Sequence, residues 1–571
     1  MSFLYLPRPR PGLTRRTMMA TALAGGFLTA CQKTAGPASA NGASASGVVE
    51  TSAGKVSGTV ENGVHVFKGV PYGATTAPPR RFMPPRAPDP WTGVKEATAF
   101  GPWSPQGAST APFPARNDLP PDFPDEQQRR LIVNLPSGTG PGEDCLVLNV
   151  WSPALDAGKR PVLVWLHGGG FSAGSGSSTW YDGTNLARRQ DVVVVTINHR
   201  LNVFGYLYLG DLGGGEYADA SSVGMLDCVQ ALQWVKDNID RFGGDPSRVL
   251  IFGESGGARK TSTLMAMPPA AGLFNRCVVQ SGSQLTLDKP EVAMERTEKF
   301  LAALGVDKSN VGALQDKSLD ELLGTVAGAV DGTGQFRPVT GAPSTPRDPF
   351  WPDAPGVSRD IPMMIGSNRT EQSVFLGGDP DIVGMTDAEL VRRLSGWVPE
   401  ARKADVIAMY RRIYPGVRND ELLYMAGTDR GYFYDSTVQA ALKSQQAGAP
   451  AFHYQFYRET PVENGRYHVP HASEIPFVFD NLDKAISIGG QPTPEAQALA
   501  DRMSATWAEF ARSGDPNNPA IPDWPAYSVP RRPSLVFDTD MRVEDDIRQE
   551  QRLMMETIGS QQLQGREIGP G

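Results

Sequence analysis

The stretch Arg248-Val-Leu-Ile-Phe-Gly-Glu-Ser-Gly-Gly257 decides the fold, because an apolar, strand-like run breaks there into glycines around a single serine. Residues 258–267 follow as a helix-like run, so the order is strand, sharp turn and helix. A G-x-S-x-G turn of this kind holds its serine on a strained backbone, with the hydroxyl clear of the sheet and close to the first helical N–H groups. We therefore predict that Ser255 is a nucleophile that attacks an acyl carbon.

A second match to the same pentapeptide occurs at Gly170-Phe-Ser-Ala-Gly174. Its serine, Ser172, also follows an apolar run, but the next residues form a glycine and serine loop that offers the turn no helix. The local context therefore favours Ser255 over Ser172.

Length and charge limit the classes of protein to consider. The chain has 571 residues, 40% of them hydrophobic, which is enough for a large core, and we predict one large domain over residues 47–545 with long insertions, followed by a C-terminal helix and tail over residues 546–571. The net charge is −8, from 54 basic and 62 acidic residues, and no long basic cluster is present. Nucleic acid is therefore not an expected partner.

The N-terminus has the features of an export signal. Arg15 and Arg16 precede thirteen mostly apolar residues that end at Ala30, a length typical of a signal peptide and too short to span a bilayer. Leu28-Thr-Ala-Cys31 resembles the lipobox of bacterial lipoproteins, which implies that Cys31 is lipidated and becomes the mature N-terminus. The alternative is ordinary cleavage after Ala40, at the end of an A-x-A site.

These features predict a twin-arginine, lipoprotein-type signal over residues 1–31 and a flexible linker over residues 32–46, which is rich in Ala, Ser and Gly. The expected location is the periplasm or the cell envelope, with a lipid anchor as the membrane attachment. A twin-arginine substrate folds before export in a reducing compartment, so we expect the body cysteines Cys145, Cys228 and Cys277 to be reduced and buried. No cysteine or histidine spacing indicates a metal site.

Alternating apolar and amphipathic segments predict an α/β fold. Five runs are apolar enough for strands that are covered on both faces: 146–151, 161–166, 192–197, 249–252 and 277–280. Cys228, Leu232, Val235, Ile239 and Phe242 recur at helical spacing between the third and fourth runs, and a later helix carries Leu499, Met503, Trp507 and Phe510 on one face. Such alternation predicts a doubly wound, mostly parallel sheet flanked by helices, with ligand sites at the carboxyl ends of the strands.

A glycine-rich turn after the second of these strands is a candidate oxyanion hole. His167-Gly-Gly-Gly-Phe171 allows the backbone N–H groups of Gly169 and Gly170 to turn towards a carbonyl oxygen, and Gly256, next to the nucleophile, supplies a third N–H. The competing interpretation is a plain glycine turn.

The general base must follow the nucleophile, because enzymes built on this turn have the chain order serine, acid, histidine. Only His453, His468 and His471 lie beyond Ser255. His453 stands inside a strand-like run, where a packed side chain is expected. His468 and His471 share one loop, and from the residues alone both are candidates.

At this point the sequence resembles the type-B carboxylesterases, the cholinesterase-like branch of the α/β-hydrolases, and particularly bacterial members of the para-nitrobenzyl esterase kind. The resemblance spans residues 47–527 and rests on many motifs in one order. The most specific are Phe67-Lys-Gly-Val-Pro-Tyr72, Glu143-Asp-Cys-Leu-Val-Leu-Asn149, His167-Gly-Gly-Gly-Phe171, Phe242-Gly-Gly-Asp-Pro246, Gly253-Glu-Ser-Gly-Gly257, Gln280-Ser-Gly282 and His471-Ala-Ser-Glu-Ile-Pro-Phe-Val-Phe479.

The resemblance implies an α/β-hydrolase fold and a Ser-His-Glu catalytic triad. Its motifs place the base at His471 and the acid at Glu371, within Gly366-Ser-Asn-Arg-Thr-Glu371. Thr370 and Gln372 depart from the usual neighbours of this glutamate. The resemblance also implies structural roles for Glu254 and Glu474.

Further family features concern packing. The resemblance implies internal ion pairs between Arg81 and Glu143 and between Arg200 and Asp227. This chain departs from the family at His199, Cys228 and Gly256, where members usually carry tyrosine, glutamine and alanine.

The function that the resemblance implies is hydrolysis of a small-molecule carboxylic ester through an acyl-enzyme, with no cofactor. Two alternatives stay open. The same triad could hydrolyse an amide or a lactam, since the leaving-group preference resides in pocket loops, and cholinesterase-like folds also serve as non-catalytic binding modules.

Overall fold

A computed structural model describes residues 44–107, 137–330 and 334–564. Its strands form one sheet. The predicted signal, Cys31 and most of the linker lie outside the described residues. In the described part the sheet has thirteen strands. They are β1 (Ser44–Glu50), β2 (Lys55–Glu61), β3 (Val64–Pro71), β4 (Val94–Glu96), β5 (Val147–Ser152), β6 (Arg160–Leu166), β7 (Val193–Ile197), β8 (Gly244–Glu254), β9 (Arg276–Gln280), β10 (Met363–Asn368), β11 (Ala451–Phe456), β12 (Pro533–Phe537) and β13 (Arg542–Asp545).

The centre of the sheet is parallel and its margins are antiparallel. The strand order is β1-β2-β3-β5-β7-β6-β8-β9-β10-β11-β12-β13, and β4 pairs with β2. Strands β7 to β12 of this order pair in parallel, whereas β1, β2, β3 and β5 form an antiparallel meander and β13 closes the other side. The prediction of a mostly parallel, doubly wound sheet is confirmed.

Helices fill the connections and the insertions. They are α1 (Thr184–Gln190), α2 (Asn202–Tyr206), α3 (Gly210–Gly213), α4 (Val223–Asn238), α5 (Gly256–Leu264), α6 (Pro290–Ala303), α7 (Leu319–Val330), α8 (Ser373–Leu376), α9 (Asp387–Arg393), α10 (Lys403–Ile413), α11 (Asn419–Thr428), α12 (Tyr434–Gln445), α13 (Ile475–Val478), α14 (Ile486–Gly489), α15 (Pro494–Ser513) and α16 (Gln549–Ile558). No helix in the described ranges is long and apolar enough to cross a membrane.

Both faces of the central strands are covered, because successive side chains of a strand point to opposite faces. On β6, Val162, Val164 and Leu166 join one apolar cluster. Leu163 and Trp165 join the other cluster. This explains why the central strands are apolar throughout instead of alternating.

The two predicted helices cover opposite faces. Helix α4 packs Cys228, Leu232 and Val235 into the first cluster. Helix α15 packs the predicted row Leu499, Met503, Trp507 and Phe510 into the second. The end of α4 differs from the prediction: the α-helix stops at Asn238, and Ile239–Phe242 forms a tighter 3-10 turn that leads to the left-handed Gly243. Ile239 and Phe242 are nevertheless buried.

The predicted ion pairs and cysteines are present in the interior. Nε of Arg81 lies 2.5 Å from Glu143, and the Arg200 guanidinium lies 2.6 Å from Asp227, so both predicted pairs are confirmed. Cys145, Cys228 and Cys277 are buried and unbridged, and burial raises the pKa of each thiol, which makes them poor nucleophiles.

The sheet reverses its direction of winding at β6, because β7 is added on one side of β6 and β8 on the other. Crevices at such a reversal, beyond the carboxyl ends of the strands, are the usual ligand sites of open α/β sheets. Leu166 at the end of β6 pairs with Gly253 near the end of β8. The glycine-rich turn after β6 and Ser255 after β8 therefore enter the same crevice.

Candidate active site

Ser255 occupies a strained turn between β8 and α5. Its backbone has φ 56° and ψ −120°, a conformation that costs free energy and that clusters at functional sites. Its N–H donates to the carbonyl of Gln280 on the neighbouring strand at 2.9 Å, which ties the turn to β9. The residue is half-buried while nearly all residues around it are buried, so it faces an opening in the interior.

Glu371 and His471 meet although 100 residues separate them in sequence. Nδ1 of His471 lies 2.5 Å from Oε2 of Glu371, and the other carboxylate oxygen accepts the backbone N–H of Asn368 at 2.6 Å. Glu371 is fully buried. A carboxylate bound to Nδ1 fixes the ring and leaves Nε2 as the nitrogen that can exchange a proton with a reacting group.

A chain of buried hydrogen bonds holds Glu371 in place. The indole N–H of Trp507 can only donate, and it donates to Oε1 of Gln280 at 3.0 Å. Nε2 of Gln280 must then donate to Glu474, which it does at 3.1 Å. The second oxygen of Glu474 accepts Nδ2 of Asn368 at 2.8 Å, and Asn368 in turn binds Glu371. The expected structural role of Glu474 is confirmed, whereas the sequence analysis assigned no role to Gln280 or Asn368.

The carboxylate of Glu254 lies next to the candidate base. Its Oε1 lies 3.0 Å from Nε2 of His471. Within the described residues, neither of these two atoms has a hydrogen-bond partner. The structural role expected of Glu254 stays a prediction, and its carboxylate faces the base directly, because the strand end that positions Ser255 also points the preceding side chain towards the loop of His471.

Burial and charge act in opposite directions on the proton affinity of His471. Burial lowers its pKa, but the carboxylates of Glu254 and Glu371 favour the charged ring more strongly and raise the pKa to about 9. Burial raises the pKa of Glu254 well above its ordinary value, and the positive charge of His471 opposes that rise. The base and the carboxylate before the nucleophile thus titrate as a coupled pair.

The candidate oxyanion hole combines the glycine-rich turn after β6 with Gly256, which closely approaches Gly170. Gly169 has φ +88° and is exposed, and Gly170 has φ +63° and is half-buried, so both adopt the left-handed backbone that favours glycine. A Cβ atom on Gly256 would lie 2.2 Å from the carbonyl oxygen and 2.5 Å from the nitrogen of Gly170. A side chain at position 256 would therefore require this loop to shift.

Two side chains that the sequence analysis missed hold the peptide group between Gly170 and Phe171. Nζ of Lys260, on α5, donates to the carbonyl of Gly170 at 2.7 Å and to that of His167 at 3.3 Å. The N–H of Phe171 donates to Oε1 of Gln335 at 2.9 Å. Lys260 is fully buried, and burial lowers its pKa to about 7. Lys260 and Gln335 lie 90 and 164 positions from the residues that they contact, so no local sequence pattern indicated these contacts.

Aromatic rings pack against the candidate base. The rings of Phe375 and Tyr432 each lie 5.2 Å from the His471 imidazole, between centroids. Tyr432 belongs to a π-helical turn, Asp429–Phe433, that leads into α12. Such turns occur frequently at functional sites.

The alternative residues are engaged elsewhere. The Ser172 hydroxyl donates to Gln335 at 2.9 Å, and the next residues form turns without a helix, as predicted. His453 is buried in β11 between the hydroxyls of Ser436 and Ser534, and burial lowers its pKa to about 3, so the prediction of a packed histidine is confirmed. Nδ1 of His468 lies 3.7 Å from Glu459.

In the described ranges, no group of three or more His, Cys, Asp or Glu side chains could hold a metal ion. The arrangement that the structure brings together is a strained serine, a histidine oriented by a buried glutamate and a glycine-rich loop. Such an arrangement can transfer an acyl group from an ester to water.

Comparison with known proteins gives a consistent assignment. The model of the carboxylesterase family matches residues 45–555. The chain is 33% identical over 513 residues to the para-nitrobenzyl esterase of Bacillus subtilis (88% of this chain, 97% of that protein), and 30% identical over 526 residues to a phenmedipham hydrolase of Pseudarthrobacter oxydans (90% and 99%). A crystal structure of a Geobacillus stearothermophilus carboxylesterase superimposes with a TM-score of 0.74 at 38% identity, covering 89% of this chain and 99% of that one.

Proposed function

The chain belongs to the carboxylesterase family and is a serine carboxylesterase that hydrolyses small-molecule carboxylic esters, and from this premise we propose that Ser255, His471 and Glu371 form its catalytic triad. The observation that carries the proposal is the 2.5 Å contact between His471 and the fully buried Glu371, in the crevice that the strained Ser255 also enters.

In the first half of the reaction, Oγ of Ser255 attacks the ester carbonyl while Nε2 of His471 takes its proton. Glu371 keeps the ring oriented and stabilises the imidazolium. The tetrahedral intermediate collapses when His471 returns the proton to the departing alcohol, which leaves an acyl group on Ser255.

In the second half, water attacks the acyl carbon and His471 serves as the base again, so that the acid is released and Ser255 is restored. In both halves, negative charge develops on the former carbonyl oxygen. We propose that the N–H groups of Gly169, Gly170 and Gly256 bind this oxygen. Preorganised donors of this kind contribute about 3 to 4 kcal/mol each to the stabilisation of a transition state.

The experiment that tests the nucleophile compares two serines. We expect Ser255→Ala to abolish hydrolysis of 4-nitrophenyl esters, because it removes the proposed nucleophile, while Ser172→Ala keeps at least about a tenth of the activity. A fluorophosphonate probe should label a peptide that contains Ser255. Labelling at Ser172, or loss of activity only in the Ser172 variant, would contradict the assignment, and matching 4-nitroanilides measure how far the triad accepts amides.

We further propose that the enzyme is exported and lipid-anchored through Cys31. The support is the pair Arg15 and Arg16, the short apolar segment and the lipobox-like Leu28-Thr-Ala-Cys31. In this proposal the residues up to Ser46 tether the catalytic domain, which works in water next to the membrane.

A further inference from the structure

Arg259 is the one residue of helix α5 that is not fully buried: it is half-buried, whereas the other eight residues of the helix are buried. Ser255, immediately before the helix, is also half-buried. The N–H of Arg259 donates to the carbonyl of Ser255 at 3.1 Å, so the two residues are one helical turn apart, on the same face. The opening that gives access to Ser255 therefore also gives access to Arg259.

The guanidinium of Arg259 has no counter-ion in the described part of the chain. Burial lowers its pKa, and the positive charge of Arg337 acts in the same direction. Arg337 itself is paired with Asp288. An arginine nevertheless stays protonated at neutral pH, because its ordinary pKa is far above 7. A partly desolvated cation without a partner is unfavourable, so an anion beside it is stabilised.

Asp435 is the acidic group whose charge favours protonated Arg259, but it forms no ion pair with this arginine among the described residues. One oxygen of Asp435 accepts Nε2 of Gln562 at 2.8 Å. Burial raises the pKa of Asp435 to about 6, which shows how poorly this carboxylate is compensated. Asp435 is thus held by the C-terminal segment and leaves the guanidinium free for another anion.

Arg259 is also connected to the surroundings of the candidate base. Its charge acts on Tyr432, whose ring packs against His471 with 5.2 Å between centroids. Arg259 therefore lies one helical turn from the nucleophile and acts on a ring that packs against the base.

We propose that Arg259 is a substrate-binding residue for an anionic group, so that the preferred substrates are esters that carry a second, ionised carboxylate, such as half-esters of dicarboxylic acids. A guanidinium binds a carboxylate through two parallel hydrogen bonds, which adds orientation to affinity. The inference rests on the proposed role of Ser255, since it names the substrate class of that same site.

The test compares monomethyl adipate with dimethyl adipate, its neutral counterpart of equal chain length. Methanol release gives kcat/KM for the full-length wild type and for Arg259→Met, which keeps the length of the side chain and removes its charge. After correction for the two ester bonds of the diester, we expect the wild type to prefer the half-ester by about tenfold or more and Arg259→Met to lose this preference. In the wild type, 0.5 M NaCl should weaken the preference by screening.

A second pair of esters places the carboxylate on the alcohol side: 5-acetoxypentanoate and its methyl ester. The pair in which the wild type prefers the charged ester identifies whether the acyl side or the alcohol side of the substrate faces Arg259. The matched control is Arg276→Met, because Arg276 also has no ion pair among the described residues but lies at the amino end of β9, away from the crevice. This variant should keep the full preference.

Two results would overturn the inference: equal kcat/KM for charged and neutral esters of both pairs in the wild type, or an unchanged preference in Arg259→Met. If Arg259→Met does not fold, Arg259→Gln and the salt dependence of the wild type carry the test. The failure of the proposed function is distinguishable, because in that case Ser255→Ala would hydrolyse the neutral diester as fast as the wild type.

Discussion

At the scale of single residues, the charges around the candidate base are the main feature of the site. His471 has carboxylates near both ring nitrogens, Glu371 at Nδ1 and Glu254 at Nε2. A carboxylate at Nδ1 orients the base, whereas one at Nε2 stabilises the protonated ring that cannot accept a proton. The electrostatic setting of the base therefore decides the pH at which the enzyme works.

We predict that the acid limb of the pH profile is shifted upward. The ordinary imidazole pKa is 6.5, and the raised pKa of about 9 keeps His471 protonated to higher pH. The ring must be neutral to act as base, so kcat/KM should increase as the pH increases from 6.5 to about 9. Glu254→Gln removes a charge that favours the protonated ring and should lower the midpoint. A wild-type midpoint at or below 6.5, or one that Glu254→Gln leaves in place, would contradict this cause.

We also predict that Gly256→Ala, although it restores the residue usual in the family, impairs this enzyme. The added Cβ would lie 2.2 Å from the Gly170 carbonyl oxygen, so the oxyanion loop must move. We expect kcat to decrease about tenfold or more with a smaller change in KM, because the loop acts on the transition state. The control is Gly324→Ala in α7, where a Cβ meets open space. Full activity of Gly256→Ala would show that the loop adapts without cost.

At the scale of elements, α5 combines three tasks in its first two turns. It follows Ser255, presents the half-buried Arg259 on the same face, and places the buried Lys260 against the candidate oxyanion loop. Side chains one residue apart on a helix point in different directions, so neighbours in sequence serve the substrate and the loop separately.

The role of Lys260 is tested by Lys260→Met, which keeps the aliphatic chain and removes the donor. The carbonyl of Gly170 then loses its partner, and we expect kcat to decrease about tenfold. Lys443 on α12 is a matched control, since it is equally buried and donates to the carbonyls of Ser358 and Arg359 at 3.0 and 2.6 Å. These precede the amino end of β10, away from the crevice.

Each lysine variant should lower the thermal midpoint, because each leaves buried carbonyl groups unsatisfied. Only Lys260→Met should change kcat of the folded enzyme. Equal kcat values for the two variants, measured at a temperature at which both are folded, would reduce Lys260 to a structural residue.

At the scale of the whole molecule, topology explains why distant segments form one site. The turn after β6, Ser255 after β8, Glu371 after β10 and His471 after β11 all follow the carboxyl ends of parallel strands. Because parallel strands end on the same edge of a sheet, these four segments converge without any local sequence relation.

The prediction at the scale of the whole molecule concerns the attachment of the protein to a membrane. If Cys31 carries lipid, the wild type should partition with membranes, because a lipoprotein cysteine carries at least two acyl chains and two chains anchor stably. Cys31→Ser should leave the membrane fraction or stay unprocessed, with esterase activity unchanged. A soluble wild-type protein that begins at Asn41 would instead support cleavage after Ala40.

The sequence by itself determined the nucleophile turn and the central strands, since these depend on local patterns, and chain order limited the base to three histidines. Strand, glycine turn and helix are read from adjacent residues, and the apolar runs identify strands that are buried on both faces. Gly366-Ser-Asn-Arg-Thr-Glu371 and the motif at His471 were found through the family resemblance, and the structure brings their side chains together.

Only the tertiary structure decided how the site is held and charged. The contacts of Lys260 with Gly170 and of Gln335 with Phe171 join residues 90 and 164 positions apart, and no periodicity encodes such pairs. The proximity of Glu254 to His471 and the absence of a counter-ion for Arg259 among the described residues likewise depend on which side chains folding brings together. A residue's proton affinity and partners are properties of its surroundings in space, and those surroundings exist only when the sheet has formed.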